Sequence, residues 1–155
     1  IQDHRFPPVL PAILPVEAVD RDCGYGVIGN LDPPLTWAEF QKKLYSILQT
    51  DHLLTVGGFP DIVTRVAYCP GSGMSLAAKA FQAGAEVFIS GDLKYHQAQE
   101  IEGLGLTVDA GHFALEEPMM AAGCMELQAP LGDEVQARFF PGRNPFHFSN
   151  NITGR

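Results

Sequence analysis

The sequence predicts an α/β fold, a layered sheet with alternating strands and helices. Two observations carry this. From Leu53 onward, short runs rich in Val, Ile and Thr alternate with longer runs of helical character. Several of the switches between them fall on Gly-, Ser- or Asp-containing loops, the usual connections of a largely parallel or mixed sheet. Composition agrees: 155 residues, 46% hydrophobic and 18% charged, suffice for one domain with a real core and argue against disorder.

Residues 1–17 carry Pro7, Pro8, Pro11 and Pro15, a density that reads as an extended connector or arm, followed by a single α/β domain over 18–155. "GYGVIGNL" (24–31) suggests a short, glycine-kinked strand. "LTWAEFQKKLYSILQ" predicts a helix capped by Thr36, with Glu39 completing a capping box. Its Trp37, Phe40, Leu44, Ile47 and Leu48 recur at helical spacing and belong to a core. Strands follow at 53–56 and 63–69, a helix at 75–85, a strand at 86–90, a helix at 95–105 and a strand at 106–110. A helix over 112–128, with Pro118 near its first turns, and a last strand at 135–140 complete the pattern.

The formal charge is -8 with only ten scattered basic residues, which argues against nucleic acid or an anionic membrane as partner and favours a cation. Cys23, Cys69 and Cys124 are too few and too far apart for a disulfide framework or zinc ribbon; reduced thiols in a cytoplasmic protein are the expectation. No apolar run is long enough to span a bilayer.

In sheets of this kind ligands sit beyond the carboxyl ends of the strands, and three strand ends carry polar residues. "CPGSGMS" (69–75) is a tight turn or an anion contact; Ser72 and Ser75 are its polar side chains, and it is not a Walker A loop. "SGDLKYH" (90–96) places Asp92 four residues before His96, on one face if a helix begins there; otherwise Asp92 is an N-cap. "VDAGHFALEE" (108–117) sets His112 and Glu116 one turn apart, so both could hold one zinc, iron or manganese ion. Asp109 could orient the imidazole or add an oxygen. The expected reagents are therefore Asp92, His96, Asp109, His112 and Glu116, with Ser72 and Ser75 nearby.

The series "VAYCPGSGMSL", "GAEVFISGDLKYHQAQ" and "LTVDAGHFALEEP", in that order and spacing, resembles the back, C-terminal half of the NIF-three-like family, whose members are often labelled GTP cyclohydrolase 1 type 2 homologues. "GYGVIGNL" is similar to the family's glycine-rich element and "NPFHF" to its closing strand, so the likeness covers roughly residues 20–150. The resemblance implies two related halves around a dinuclear metal centre, and a homo-oligomer. It implies His112 and Glu116 as metal ligands and Asp92, Tyr95 and His96 as supporting or substrate-contacting residues; in a hydrolase, Asp92 or His96 would orient water or move protons.

Two departures stand out. Val27 replaces the Arg usual in the glycine-rich element, and the His-His-Pro motif of the front half is missing, His4 and His52 standing alone. With Ile1 at its start, the chain is expected to be the back portion of a longer protein, holding metal weakly or not at all without its front half. Three functions remain open: a metal-dependent hydrolase, a metal-handling or regulatory binding protein, and an oligomer-assembly module.

Overall fold

A computed structural model describes residues 14–20 and 23–147. In chain order the elements are β1 (Leu14–Asp20), β2 (Cys23–Thr36), α1 (Trp37–Leu48), β3 (Leu54–Val56), β4 (Ile62–Tyr68), α2 (Ala77–Gln82), β5 (Val87–Ser90), α3 (Tyr95–Ile101), β6 (Leu106–Asp109) and α4 (His112–Leu131). One six-stranded sheet runs β1-β2-β4-β5-β6-β3. β4, β5 and β6 are parallel neighbours, while β1 and β2 on one side and β3 on the other join antiparallel. The expected α/β fold is therefore present as a mixed sheet. Its packing divides the chain after Glu116, into one compact unit Ile1–Glu116 and a second Glu117–Arg155.

Helices cover both faces of the sheet in the first unit. On one face Phe40, Leu44 and Leu48 of α1 and Leu115 of α4 pack on Val63, Val87, Ile89, Leu106 and Val108. On the other, Met74, Leu76, Ala77, Ala80 and Ile101 pack on Ile28, Ala67 and Phe88. β5 is buried at all four positions, the pattern of a central parallel strand covered twice. α1 starts as its residues predict. The Thr36 amide donates to Glu39 Oε2 at 2.9 Å and the Glu39 amide donates to Thr36 Oγ1 at 3.3 Å.

Some boundaries differ from the sequence reading, each for a local reason. Residues 14–17, read as connector, belong to β1; this is an edge strand, where Pro15 costs the sheet no ladder hydrogen bond on its outer side. The rest of that reading, 1–13, lies outside the described residues. β2 is long rather than short, because it continues past a register shift between Asn30 and Leu35 that accommodates Pro33 and Pro34. The helix read over 75–85 is a 3-10 turn at Met74–Leu76 followed by α2, closed by Gly84 at φ +89°. α3 stops at Ile101, before Gly103 and Gly105. The strand expected at 135–140 does not form: the Ala137 amide donates to the Gln128 side chain rather than to a neighbouring strand. Residues 144–147 of the expected closing strand are likewise irregular. Among the described residues no helix is long and apolar enough to cross a membrane.

Thr107, fully buried in β6, has a hydroxyl with no hydrogen-bond partner among the described residues. Valine has nearly the same shape and no group to satisfy. Thr107→Val is therefore expected to raise unfolding free energy by about 1 kcal/mol in urea titration, against a loss of about 1 kcal/mol for Thr36→Ala, which removes the α1 cap.

Candidate metal centre

Because β4, β5 and β6 are adjacent and parallel, their carboxyl ends come level along one edge of the sheet. The backbone ties the loops leaving those ends together. Cys69 N donates to Ile89 O at 2.9 Å, Gly91 N to Gly71 O at 2.9 Å, and Ala110 N to Ser90 O at 3.1 Å. α4 begins immediately after this edge, and the Tyr68 hydroxyl donates to Leu115 O at 3.0 Å, anchoring its first turns. Burial, with the Cys69 and Glu116 charges nearby, pushes the Tyr68 phenol up to about 12, so it remains a donor throughout the neutral range.

His112 opens α4 and stands between two carboxylates. Its Nδ1 lies 2.7 Å from Asp92 Oδ2, and its Nε2 lies 3.0 Å from Glu116 Oε1. Asp92 reaches this position from a left-handed backbone, φ +61°, which Asp tolerates better than most residues with a Cβ. Gly71, at φ +66°, forms the floor. A Cβ built there would lie 2.6 Å from Glu116 Oε1 and 3.4 Å from the His112 ring, so a side chain would fill the space that the two groups occupy.

The donor set fits a divalent ion of the zinc, iron or manganese type. Nitrogen and oxygen ligands held ~2.0–2.2 Å from one ion at octahedral to tetrahedral angles lie roughly 2.9–3.5 Å apart. His112 Nε2 and Glu116 Oε1, 3.0 Å apart, match the octahedral end of that range and equally the ion pair that the two form here. Asp92 sits on the opposite ring nitrogen, where it would hold the proton on Nδ1 and leave Nε2 free to ligate, the usual carboxylate–histidine support of a metal site. Its contact is with the ring nitrogen opposite the one that Glu116 meets. Consistently, among the described residues no group of three or more His, Cys, Asp or Glu is placed to hold one ion. The described residues bring two candidate donors together, where catalytic zinc sites use three from protein.

The remaining candidates are distributed otherwise than expected. Asp109 does not orient His112; its carboxylate accepts from Leu93 N at 2.9 Å and Gly111 N at 2.8 Å, bracing two of the loops. Asp92 and His96 do not share a helix face and Asp92 is not an N-cap, because α3 begins only at Tyr95, after Lys94. Tyr95 and His96 contact each other edge to face, ring centroids 5.6 Å apart, on the exposed start of α3. Ser72 and Ser75 are exposed on the first loop, outside the His112 contacts. The residue that sequence reasoning passed over is Ser90, buried at the end of β5, whose hydroxyl accepts from Gly73 N at 2.9 Å. A serine closing an otherwise apolar strand was its only signal.

The Asp92 hydrogen bond, and after it the Glu116 and Asp92 charges, hold the His112 pKa above the ordinary 6.5. A pKa raised on folding gives stability that is complete below about 6.5 and is lost as pH rises through the elevated value. In the metal-free chain, NMR titration of the His112 ring is expected to give a midpoint above 6.5, and Asp92→Asn is expected to lower it. An unchanged midpoint in the variant would exclude the Asp92 contact as its main cause.

Comparison with known proteins places these features in a family. The family model described as Duf34/NIF3 (NGG1p interacting factor 3) matches residues 4–145. A Nostoc sp. protein named "GTP cyclohydrolase 1 type 2 homolog" is 34% identical over 112 residues, covering 70% of this chain and 43% of its own length. A Bacillus subtilis protein of the same name is 34% identical over 124 residues, covering 79% of this chain and 33% of its own length. Among solved structures, Staphylococcus aureus protein SA1388 superimposes with a TM-score of 0.68 at 27% identity, over 81% of this chain and 42% of that one. A Bacillus cereus protein related to NIF3 gives 0.64 at 27%, over 81% and 36%. The chain thus spans between a third and a half of the length of these relatives. Matched along nearly its whole length, with the strand-end loops and the His112–Glu116 pair inside the matched region, the chain belongs to the Duf34/NIF3 family.

Proposed function

We propose that His112 and Glu116 are two protein ligands of a divalent-metal centre, and that the protein in its full length is a metal-dependent hydrolase. The observation that carries the reading is the 3.0 Å approach of Nε2 and Oε1 above a glycine floor, with Asp92 bonded to the other ring nitrogen. A bound divalent ion supplies Lewis acidity and a water acidic enough to act as nucleophile near neutral pH. The residues of this chain hold and aim the two donors. Asp92 fixes the tautomer and tilt of His112, the Tyr68 hydroxyl holds the backbone of α4 at Leu115, and Gly71 leaves room for the carboxylate. The remaining ligands, and a second ion, would come from outside this chain. The name shared by the relatives suggests a nucleotide of the GTP kind as substrate; no side chain described above reads a base.

A metal-handling protein without turnover is the second reading, and one observation favours it. Asp92, the carboxylate best placed to move a proton, is already engaged with His112 Nδ1. Self-association, the third role, is supported by Met119, Met120, Met125 and Leu127, which are exposed along α4.

Calorimetric titration of Mn2+ or Zn2+ into the chain is expected to show weak binding that His112→Ala and Glu116→Ala each reduce by more than about tenfold. Equal binding by both variants would remove these residues from the centre. A panel of nucleoside triphosphates and phosphoesters, assayed with the full-length protein and Mn2+, then separates hydrolase from carrier by whether any is turned over.

A further inference from the structure

We infer that Ser90 is a positioning residue for the proposed metal ligands, acting through the loop beneath them. Ser90 ends β5 with no exposed surface, in a strand whose other residues are Val87, Phe88 and Ile89. A hydroxyl buried there is costly unless it is bonded, and its bonds all go to one loop. Oγ accepts from Gly73 N at 2.9 Å and makes a longer bond, 3.4 Å, to Gly71 O. Gly71 O also accepts from Gly91 N at 2.9 Å, so the Gly71 carbonyl is held from two directions.

The loop is packed closely enough against Cys69 and Ser90 to require glycine. A Cβ on Gly73 would run into Cys69 Sγ and lie 2.6 Å from Cys69 Cβ and 2.9 Å from Ser90 Oγ. On its other side the same loop carries the floor of the site, since a Cβ on Gly71 would lie 2.6 Å from Glu116 Oε1. Ser90 therefore sits on one side of a single peptide segment and the two ligands on the other. Loss of the hydroxyl frees the Gly71–Gly73 segment to shift, and a shift of a few tenths of an ångström is enough to alter the Glu116 and His112 placement. Sheet and core do not need the hydroxyl for their own sake: the β5 ladder is made by backbone, and the strand's packing by its three apolar side chains.

The inference rests on the reading of His112 and Glu116 as ligands, so its test separates the two. Mn2+ is titrated into the chain and its dissociation constant taken from broadening of the His112 ring resonances. Ser90→Ala is expected to weaken binding about tenfold to a hundredfold, the usual effect of removing a supporting partner. Val63→Ala, a core change in β4 with no bond to the loop, serves as a control for lost stability and is expected to leave affinity within about twofold. Ser90→Ala binding as tightly as Val63→Ala overturns the inference.

If calorimetry shows that His112→Ala binds Mn2+ as well as the unaltered chain does, the ligand reading itself fails, and the metal-free protein decides the role of Ser90. There Ser90→Ala is expected to speed exchange of the Gly73 amide and to shift the His112 and Glu116 side-chain resonances, and Val63→Ala to do neither. Unmoved His112 and Glu116 resonances overturn the positioning role whatever the metal result. Should Ser90→Ala fail to fold, Ser90→Cys, nearly the same shape and a poor acceptor, is measured in its place with the same expectations.

Discussion

The parallel pairing of β4, β5 and β6 brings their carboxyl ends level, and the close approach of Gly71 to Glu116, where an added methyl group would stand 2.6 Å from the carboxylate oxygen, follows from it. The loop carrying Gly71 leaves β4, the carboxylate and imidazole ride on the helix after β6, and Asp92 follows β5. Three separate stretches of chain meet there only because their strands are parallel neighbours and end level. The backbone bonds between the loops, and the Asp109 carboxylate that braces the second loop against the third, keep them level.

The electrostatics follow from the same geometry. An imidazole flanked by carboxylates on both nitrogens, partly open to solvent, is well disposed to a proton or a cation. A single acidic chain with formal charge -8 surrounds it. Glu116 meets Nε2 from one turn along the same helix, whereas Asp92 meets Nδ1 from the loop after β5.

Much of this was legible in the sequence where the signal is local. The capping box at Thr36 and Glu39, the helical stripe of Phe40, Leu44 and Leu48, and the i, i+4 spacing of His112 and Glu116 are each read within a turn or two, and each is present. Asp92 and Asp109 were legible only as candidates. Both lie at strand ends, but which of them meets the imidazole depends on the exit angle of a loop, here on the left-handed backbone at Asp92. Residues 135–140 failed for the opposite reason: a strand-like composition forms a strand only beside a neighbour.

By itself the sequence determined the α/β alternation, the α1 cap and the placing of His112 and Glu116 on one helical turn, because these depend on propensity and period over a few residues. The tertiary structure decided the order β1-β2-β4-β5-β6-β3 and which carboxylate meets His112 Nδ1. It also brought the buried hydroxyl of Ser90 to the loop under the site. The Ser90 and Asp92 contacts join groups 17 and 20 residues apart, and no local pattern encodes the distance at which such groups meet.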